Sequence, residues 1–428
     1  MHVDPGASDL INQYYYLSAA GKDGTISMQN PVHQGPLSAF FRRSWKPLLL
    51  TILFMVTAAG GVVAADEGPV RIGGTLSLTG KYAVVGKYKE KGFKLWAKDV
   101  NARRGILGRR VELVLYDDQS DLKTAVALYR RLIVDEHVDL LFAPYSSDIT
   151  EAILPLTAQQ GYPLIASGAS ADRIWEKGYD HVFGLFLPAS KFAVGFFEML
   201  VRSKIDRIAL FHENTSFSQD IATGAKKWAG RFGLTVVLEE RFPKGLVDFS
   251  EQARRARDAG AQVVFLASYP DEAIRMRRAF TAIGWMPRAY YAPVGPGTGE
   301  YRAALGKDAD GVFSTSQWEA LALAKGGGRD AFSEVYVRAY GTEPSYFAAT
   351  AYASGQLYEA AVRNAGSLDR AAVQSALSTM DAMSIIGRYG VDRTGLQIKN
   401  INFVIQLQQG RKEVVWPAEH RTSAPRFP

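Results

Sequence analysis

The feature that most constrains this chain is an alternation of short apolar runs with amphipathic helical stretches, begun at residue 70 and restarted near residue 207. Val70 to Ser77 reads as a strand, and the stretch after it carries Phe93, Trp96, Ala97 and Val100 at the i, i+3, i+4, i+7 spacing of a helix with one buried face. Asn101 to Gly108 is a turn and Val111 to Tyr116 a second strand; Asp121 can N-cap a helix with Ala125, Leu128, Tyr129 and Leu132 on one stripe. Val138 to Ala143, a helix around Thr150 to Gln160 and a strand Pro163 to Ala166 continue the rhythm. Parallel strands need crossovers, and consecutive βα units supply them, so the pattern predicts an α/β fold with a doubly wound parallel sheet.

After a linker-like stretch, Phe183 to Ser190, and a helix through Met199, the alternation starts again. It runs Arg207 to His212, a helix Asp220 to Arg231, Thr235 to Glu239, a helix Phe249 to Ala259, Val263 to Ala267, a helix Asp271 to Ile283 and Ala289 to Ala292. Helices follow at Arg329 to Tyr340, Tyr346 to Asn364 and Leu368 to Thr379, then two strand-like runs, Asn402 to Gln406 and Glu413 to Trp416. Two similar lobes plus late elements imply that the chain crosses between lobes more than once. A cleft between lobes is the natural ligand site.

The residues before this pattern have the layout of an export signal. Arg42, Arg43 and Lys46 precede an uncharged stretch, Leu48 to Val56, that turns small at Ala58 to Gly61. Val63-Ala64-Ala65 is a small-residue exit, so residues 1–65 are expected to be a leader cleaved before Asp66, with an uncleaved anchor as the alternative. The Arg42-Arg43 pair leaves a twin-arginine route open. The chain contains no cysteine. That removes disulfides, thiolate nucleophiles and a thioether-linked lipid, and the exported protein is expected free in a periplasm.

Formal net charge is +7, but acids are interspersed with the bases and no run of five basic residues occurs, which argues against a nucleic-acid surface. The six histidines show no spacing that would set two metal ligands on one helical face, so neither a catalytic metal nor a cofactor is expected. Gly295-Pro296-Gly297-Thr298-Gly299 lacks the spacing of either nucleotide fingerprint. Asp117 and Asp118 read as a turn and helix cap in preference to an acid-base pair. No Gly-x-Ser-x-Gly elbow supports an exported hydrolase.

Ligands of open parallel sheets sit beyond the carboxyl ends of the strands. There the first lobe carries Leu78 to Tyr82, Asp117-Asp118, Tyr145-Ser146-Ser147-Asp148 and Ser167-Gly168-Ala169-Ser170. Ser147 and Ser170, each read as just ahead of a helix, suit a carboxylate together with backbone N–H groups and the positive helix end; capping their own helices is the alternative. In the second lobe the loops carry His212 to Phe217, Ser268-Tyr269-Pro270 and Pro293 to Pro296. Tyr82, Tyr145, Phe217 and Tyr269 at loop tips can wall an apolar pocket.

The strings Gly74 to Gly80, Asn101 to Arg110, Tyr116 to Asp121, Ala143-Pro144-Tyr145-Ser146-Ser147 and Val414-Val415-Trp416-Pro417 resemble the branched-chain amino acid binding proteins, the type I periplasmic solute-binding components of ABC importers. The resemblance covers residues 68–418. It implies two Rossmann-like lobes joined by three crossovers near Phe186, Thr315 and Tyr389. The N-terminal lobe is then 66–185 with a return at 316–388, and the C-terminal lobe 186–315 with a return at 389–428. It also implies a monomer that closes on its ligand by hinge motion and delivers it to an inner-membrane permease and its ATPases.

Matched motif to motif, the family's carboxylate-holding residues fall on Ser147 and on Gly168-Ala169-Ser170, and its second-lobe tyrosines on Phe217 and Tyr269. Its acid that pairs with the ligand ammonium falls on Val294. A buried ammonium without a counter-charge costs several kcal/mol, so Val294 argues against an ordinary α-amino acid. The sequence therefore favours a small carboxylate with an apolar, aromatic or branched remainder. An amino acid, its ammonium met by Glu213 or Asp271, and an amide-type ligand read by a separate signalling partner stand as alternatives.

Overall fold

The computed structural model describes residues 68–320 and 329–428. The leader expected at 1–65 lies outside them.

The first sheet is built from β1 (Val70–Leu76), β2 (Val111–Asp117), β3 (Leu140–Phe142), β4 (Leu164–Ala166) and β5 (Val182–Gly184), all parallel, in the order β2-β1-β3-β4-β5. Helices α1 (Ala83–Ala102), α2 (Leu122–Val134), α3 (Ser147–Gln159) and the short α4 (Arg173–Glu176) make the crossovers. The apolar stripe on α1 packs as its period requires: Phe93, Trp96, Ala97 and Val100 are all buried. Asp121 N-caps α2, accepting from Thr124 N at 2.8 Å.

The second sheet holds β6 (Arg207–Glu213), β7 (Thr235–Phe242), β8 (Val263–Ala267), β9 (Ala289–Tyr291) and β10 (Val312–Ser316). Its helices are α5 (Val194–Arg202), α6 (Ser216–Phe232), α7 (Ser250–Asp258), α8 (Pro270–Ala282) and α9 (Gly299–Leu305). After it come α10 (Arg329–Tyr340), α11 (Tyr346–Ala365), α12 (Arg370–Thr379), a hairpin β11 (Ala382–Ser384) and β12 (Gly387–Tyr389), and finally β13 (Phe403–Gln408) and β14 (Arg411–Trp416). β13 joins the edge of the second sheet antiparallel to β10, giving the order β14-β13-β10-β9-β8-β6-β7. The β13–β14 turn has Gln409 and Gly410 both at positive φ (53° and 74°), which a two-residue hairpin matched to strand twist requires.

α11 belongs with the first sheet: the Tyr358 hydroxyl donates to Leu141 O at 2.5 Å and Pro163 O at 2.8 Å. It lies so close to α1 that a Cβ on Gly355 would fall 1.9 Å from the Trp96 ring and one on Gly92 2.2 Å from Ala348 O.

Two readings need correction. Phe183, read as the start of a linker, sits in β5; a three-residue strand buried throughout offers no alternation to detect. The last crossing, read near Tyr389, comes later, because Gly184 N still donates to Gly395 O at 2.9 Å. Residues 392–395 form a tight Asx turn on Asp392 Oδ1, whose polar composition has the look of a linker.

Candidate functional site

The carboxyl ends of both sheets face a common cleft. Asp117 and Asp118 knit the first lobe's rim. Asp117 Oδ1 accepts from Leu78 N and Gln119 N at 2.9 Å each, and Asp118 accepts from the Thr75 and Ser77 hydroxyls at 2.7 Å each. These bonds fasten the end of β1 and the turn after β2, while the cap of α2 falls to Asp121 and to neither of this pair.

Beyond that rim a narrow cavity is lined by Tyr145, Ser146, Ser147, Gly168 and Ser170 from the first lobe and Phe217, Tyr269 and Val294 from the second. Phe186, Phe192, Tyr346 and Phe347 complete it. Its volume is about 10 Å3, room for a single water, so anything larger enters only when the lobes part or rings turn. The rings interlock: centroids lie 5.5 Å apart for Phe217 and Tyr269, 5.8 Å for Phe192 and Phe217, and 5.9 Å for Tyr145 and Phe347.

Two of the residues read as ligand contacts stand off the cavity. Tyr82 packs behind it, 4.8 Å from the Tyr269 ring and 5.4 Å from the Tyr145 ring. Ala169 is buried in the core with Ala143, Ile153 and Ile174. Ser147 also differs from expectation. It is the first residue of α3, after Ser146 at the N-cap, and its Oγ accepts from Ser170 N and Ala171 N at 3.1 Å each. It thus ties the loops after β3 and β4 together.

The four aromatic residues that the sequence reading missed lie on or beside the crossings between sheets. For Phe186 and Phe192 a signal was available, since segments that connect two lobes flank the cleft; Tyr346 and Phe347 open α11 and reach the cavity by packing on Phe186 and Tyr145.

The second lobe carries two buried acids near the rings, Glu213 at the end of β6 and Glu272 on α8, at 0% and 3% side-chain exposure. Lys81 of the first lobe reaches both. Its ammonium is hydrogen-bonded to Glu213 Oε1 and 3.2 Å from Glu272 Oε1, with the Tyr269 ring centroid at 5.0 Å. Burial, then the neighbouring Glu272, push the Glu213 carboxyl above its usual range against the pull of Lys81. Glu213 Oε2 and Glu272 Oε2 are buried without hydrogen-bond partners. Asp271, the other candidate partner for an ammonium, faces solvent.

Further bonds cross the cleft. Asp148, in the first turn of α3, accepts from Ser216 N at 2.8 Å, Ser216 Oγ at 2.6 Å and Lys244 Nζ at 2.8 Å. Burial raises its carboxyl, but these bonds outweigh burial and the net shift is downward. Arg173 donates to Asp220 at 2.6 Å, and the Tyr88 hydroxyl to Glu300 at 3.0 Å. Among the described residues no group of three or more His, Asp or Glu could hold a metal ion.

Two α/β lobes latched over a narrow cavity of hydroxyls and rings, with no nucleophile and base paired at it, describe a receptor that closes on a small solute. The chain belongs to the periplasmic binding protein family, whose sequence model matches residues 69–412. Members of this family are solute-binding receptors that deliver small ligands to ABC permeases, not enzymes. Leu/Ile/Val-binding protein homolog 7 of Brucella abortus strain 2308 is 27% identical over 397 residues, covering 88% of this chain and 98% of that protein. The branched-chain amino acid transporter substrate-binding protein LivJ of Streptococcus pneumoniae, solved with isoleucine, superposes with a TM-score of 0.75 at 22% identity, over 82% of this chain and all of that one. A solute-binding protein of R. palustris, solved with benzoate, gives 0.73 at 20% identity, over 83% of this chain and 98% of that one. At these identities the structural likeness speaks for the fold.

Proposed function

We infer that this protein is exported through a leader cleaved before Asp66, captures a small carboxylate with an apolar remainder in the interlobe cavity, and delivers it to an inner-membrane permease and its ATPases. The observation that carries this reading is the division of the cavity. Hydroxyls of Ser146, Ser147 and Ser170 gather at the N-terminus of α3 on one side, a setting that favours an anion, and the rest of the wall is rings and Val294. The two nearest buried acids already share the Lys81 ammonium, so a ligand amino group would have to compete with Lys81 for them. The benzoate-bound structural neighbour is of the same fold.

An amino acid, branched or aromatic, is the second reading, and one observation favours it. Glu213 and Glu272 each keep a buried carboxylate oxygen without a partner, and an arriving ammonium could pair with them if Lys81 moved aside.

A binding panel separates the two. The protein is purified after export, unfolded and refolded to strip carried ligand, and titrated with acids and their amino counterparts: benzoate, cinnamate and 3-methylbutanoate against Phe, Leu, Ile and Val, with amides as an outgroup. A micromolar ligand at a hundredfold excess adds about 2.7 kcal/mol to stability, which a thermal shift reads. Response to the acids is expected; response to amino acids alone would sink the carboxylate reading and leave the receptor class intact. The Val294→Glu variant should move preference toward amino acids, and an unchanged ranking would show that Val294 does not face the ligand's amino position.

A further inference from the structure

Lys89 is buried on the inner face of α1, with no exposed surface. Its ammonium donates to the Ser167 carbonyl at 2.9 Å and the Ser167 hydroxyl at 2.8 Å, and lies 5.3 Å from the Phe93 ring centroid. Among the described ion pairs none includes it. Ser167 satisfies hydrogen bonds but not charge, and a buried ammonium without a counter-charge is costly. The residue after Ser167 is Gly168, which lines the cavity. A Cβ on Gly168 would lie 3.1 Å from Lys89 Nζ and 2.9 Å from the Tyr145 ring. One glycine therefore separates this ammonium from the cavity, on the same side as Ser146, Ser170 and the positive end of α3.

We propose that Lys89 sets the preference for anionic ligands: the ligand's carboxylate supplies the missing counter-charge across Gly168, and binding holds the ammonium protonated. This rests on the carboxylate reading above and adds the residue that enforces it. Lys89 is a positioning charge acting through the Gly168 loop.

The surroundings leave its proton to the ligand. Ser167 and Gly168 face it from the loop after β4, Phe93 from α1, and Tyr145 from the loop after β3; Thr350 of α11 bonds the same Ser167 carbonyl at 3.4 Å. The titratable one among them is the Tyr145 phenol, which burial keeps neutral. Burial alone pulls the Lys89 ammonium down to about 7. An arriving anion raises it, so binding takes up a proton above neutral pH, and affinity weakens as pH rises through that range.

The test is calorimetry at pH 8 with benzoate, 3-methylbutanoate, Phe and Leu, run in buffers of low and high ionisation enthalpy, on the wild type, Lys89→Met and Lys89→Gln. Gln can still donate to Ser167, so it guards against a folding defect. The wild type should take up about one proton per carboxylate bound. Both variants should bind about tenfold more weakly, with no uptake. Carboxylate binding with equal proton uptake in all three proteins, or with affinities within about twofold, overturns the role of Lys89 and leaves the carboxylate reading standing. Binding of amino acids alone overturns the preference for simple acids, and the same comparison still judges Lys89. Binding of none of the four overturns both.

Discussion

At the scale of single residues, environment decides which polar groups are structural. Asp118 sits near where a ligand could be met, yet its carboxylate is committed to Thr75 and Ser77, while Ser147 ties the loops after β3 and β4 together and still lines the cavity. Lys89 was legible in principle. Lys89 lies four residues before Phe93 and so on the buried stripe with Trp96 and Val100. A second buried base, His181, yields a pH prediction. Its Nε2 is 3.0 Å from Thr157 Oγ1, and burial lowers its pKa from 6.5 to about 4. The folded protein holds the ring neutral where the unfolded chain would protonate it. Its stability contribution is therefore complete above pH 6.5 and lost as pH falls toward 4, by up to about 3 kcal/mol. Thermal midpoints measured from pH 7 to 4 should fall more steeply for the wild type than for His181→Gln, and parallel curves would refute the assignment.

At the scale of elements, long periodic helices were readable from sequence, and of the short buried strands β3, β4 and β9 were read while β5 was not. α10 and α11 fall within a residue of their predicted bounds, and the stripe from Phe93 to Val100 lies inside the longer α1, because a 3.6-residue period over several turns leaves little freedom. β5, three residues long and buried throughout, has neither length nor alternation, and β10 and the β11–β12 hairpin escaped for the same want of pattern. Nor could the sequence announce how closely α1 and α11 approach. That closeness depends on two glycines, Gly92 and Gly355, each set against the opposite helix. Trp96 fills the space over Gly355 and is fully buried, so it has nowhere to retreat. Gly355→Ala should cost about 2–4 kcal/mol by overpacking, more than the helix propensity of alanine returns. Urea denaturation reads this directly; a variant as stable as the wild type would mean that the two helices slide apart without loss.

At the scale of the whole molecule, the lobes meet through interlocking rings in the cavity and through polar bonds at the rim of the cleft, and the rim bonds bear on how ligand binding is coupled to shape. Asp148 ties the first turn of α3 to the first residue of α6 and to Lys244, Arg173 holds Asp220, and Lys81 joins the two second-lobe acids. Charged bonds at an exposed rim are individually weak in water, so removing several at once is expected to shift the molecule toward an open form, which a ligand's differential binding energy would offset. Asp148→Ala removes three of these bonds at once and leaves the N-terminus of α6 without its carboxylate. The variant should therefore open without unfolding. In small-angle scattering the ligand-free variant is expected to have a larger radius of gyration than the wild type, and saturating ligand should erase the difference. Its affinity should drop by about the factor by which the closed population falls, on the order of tenfold, because apparent affinity scales with the fraction already competent to bind. If affinity falls while the scattering curves stay superimposable, Asp148 acts on the ligand and not on lobe closure, and the rim bonds are a consequence of closure instead of its control.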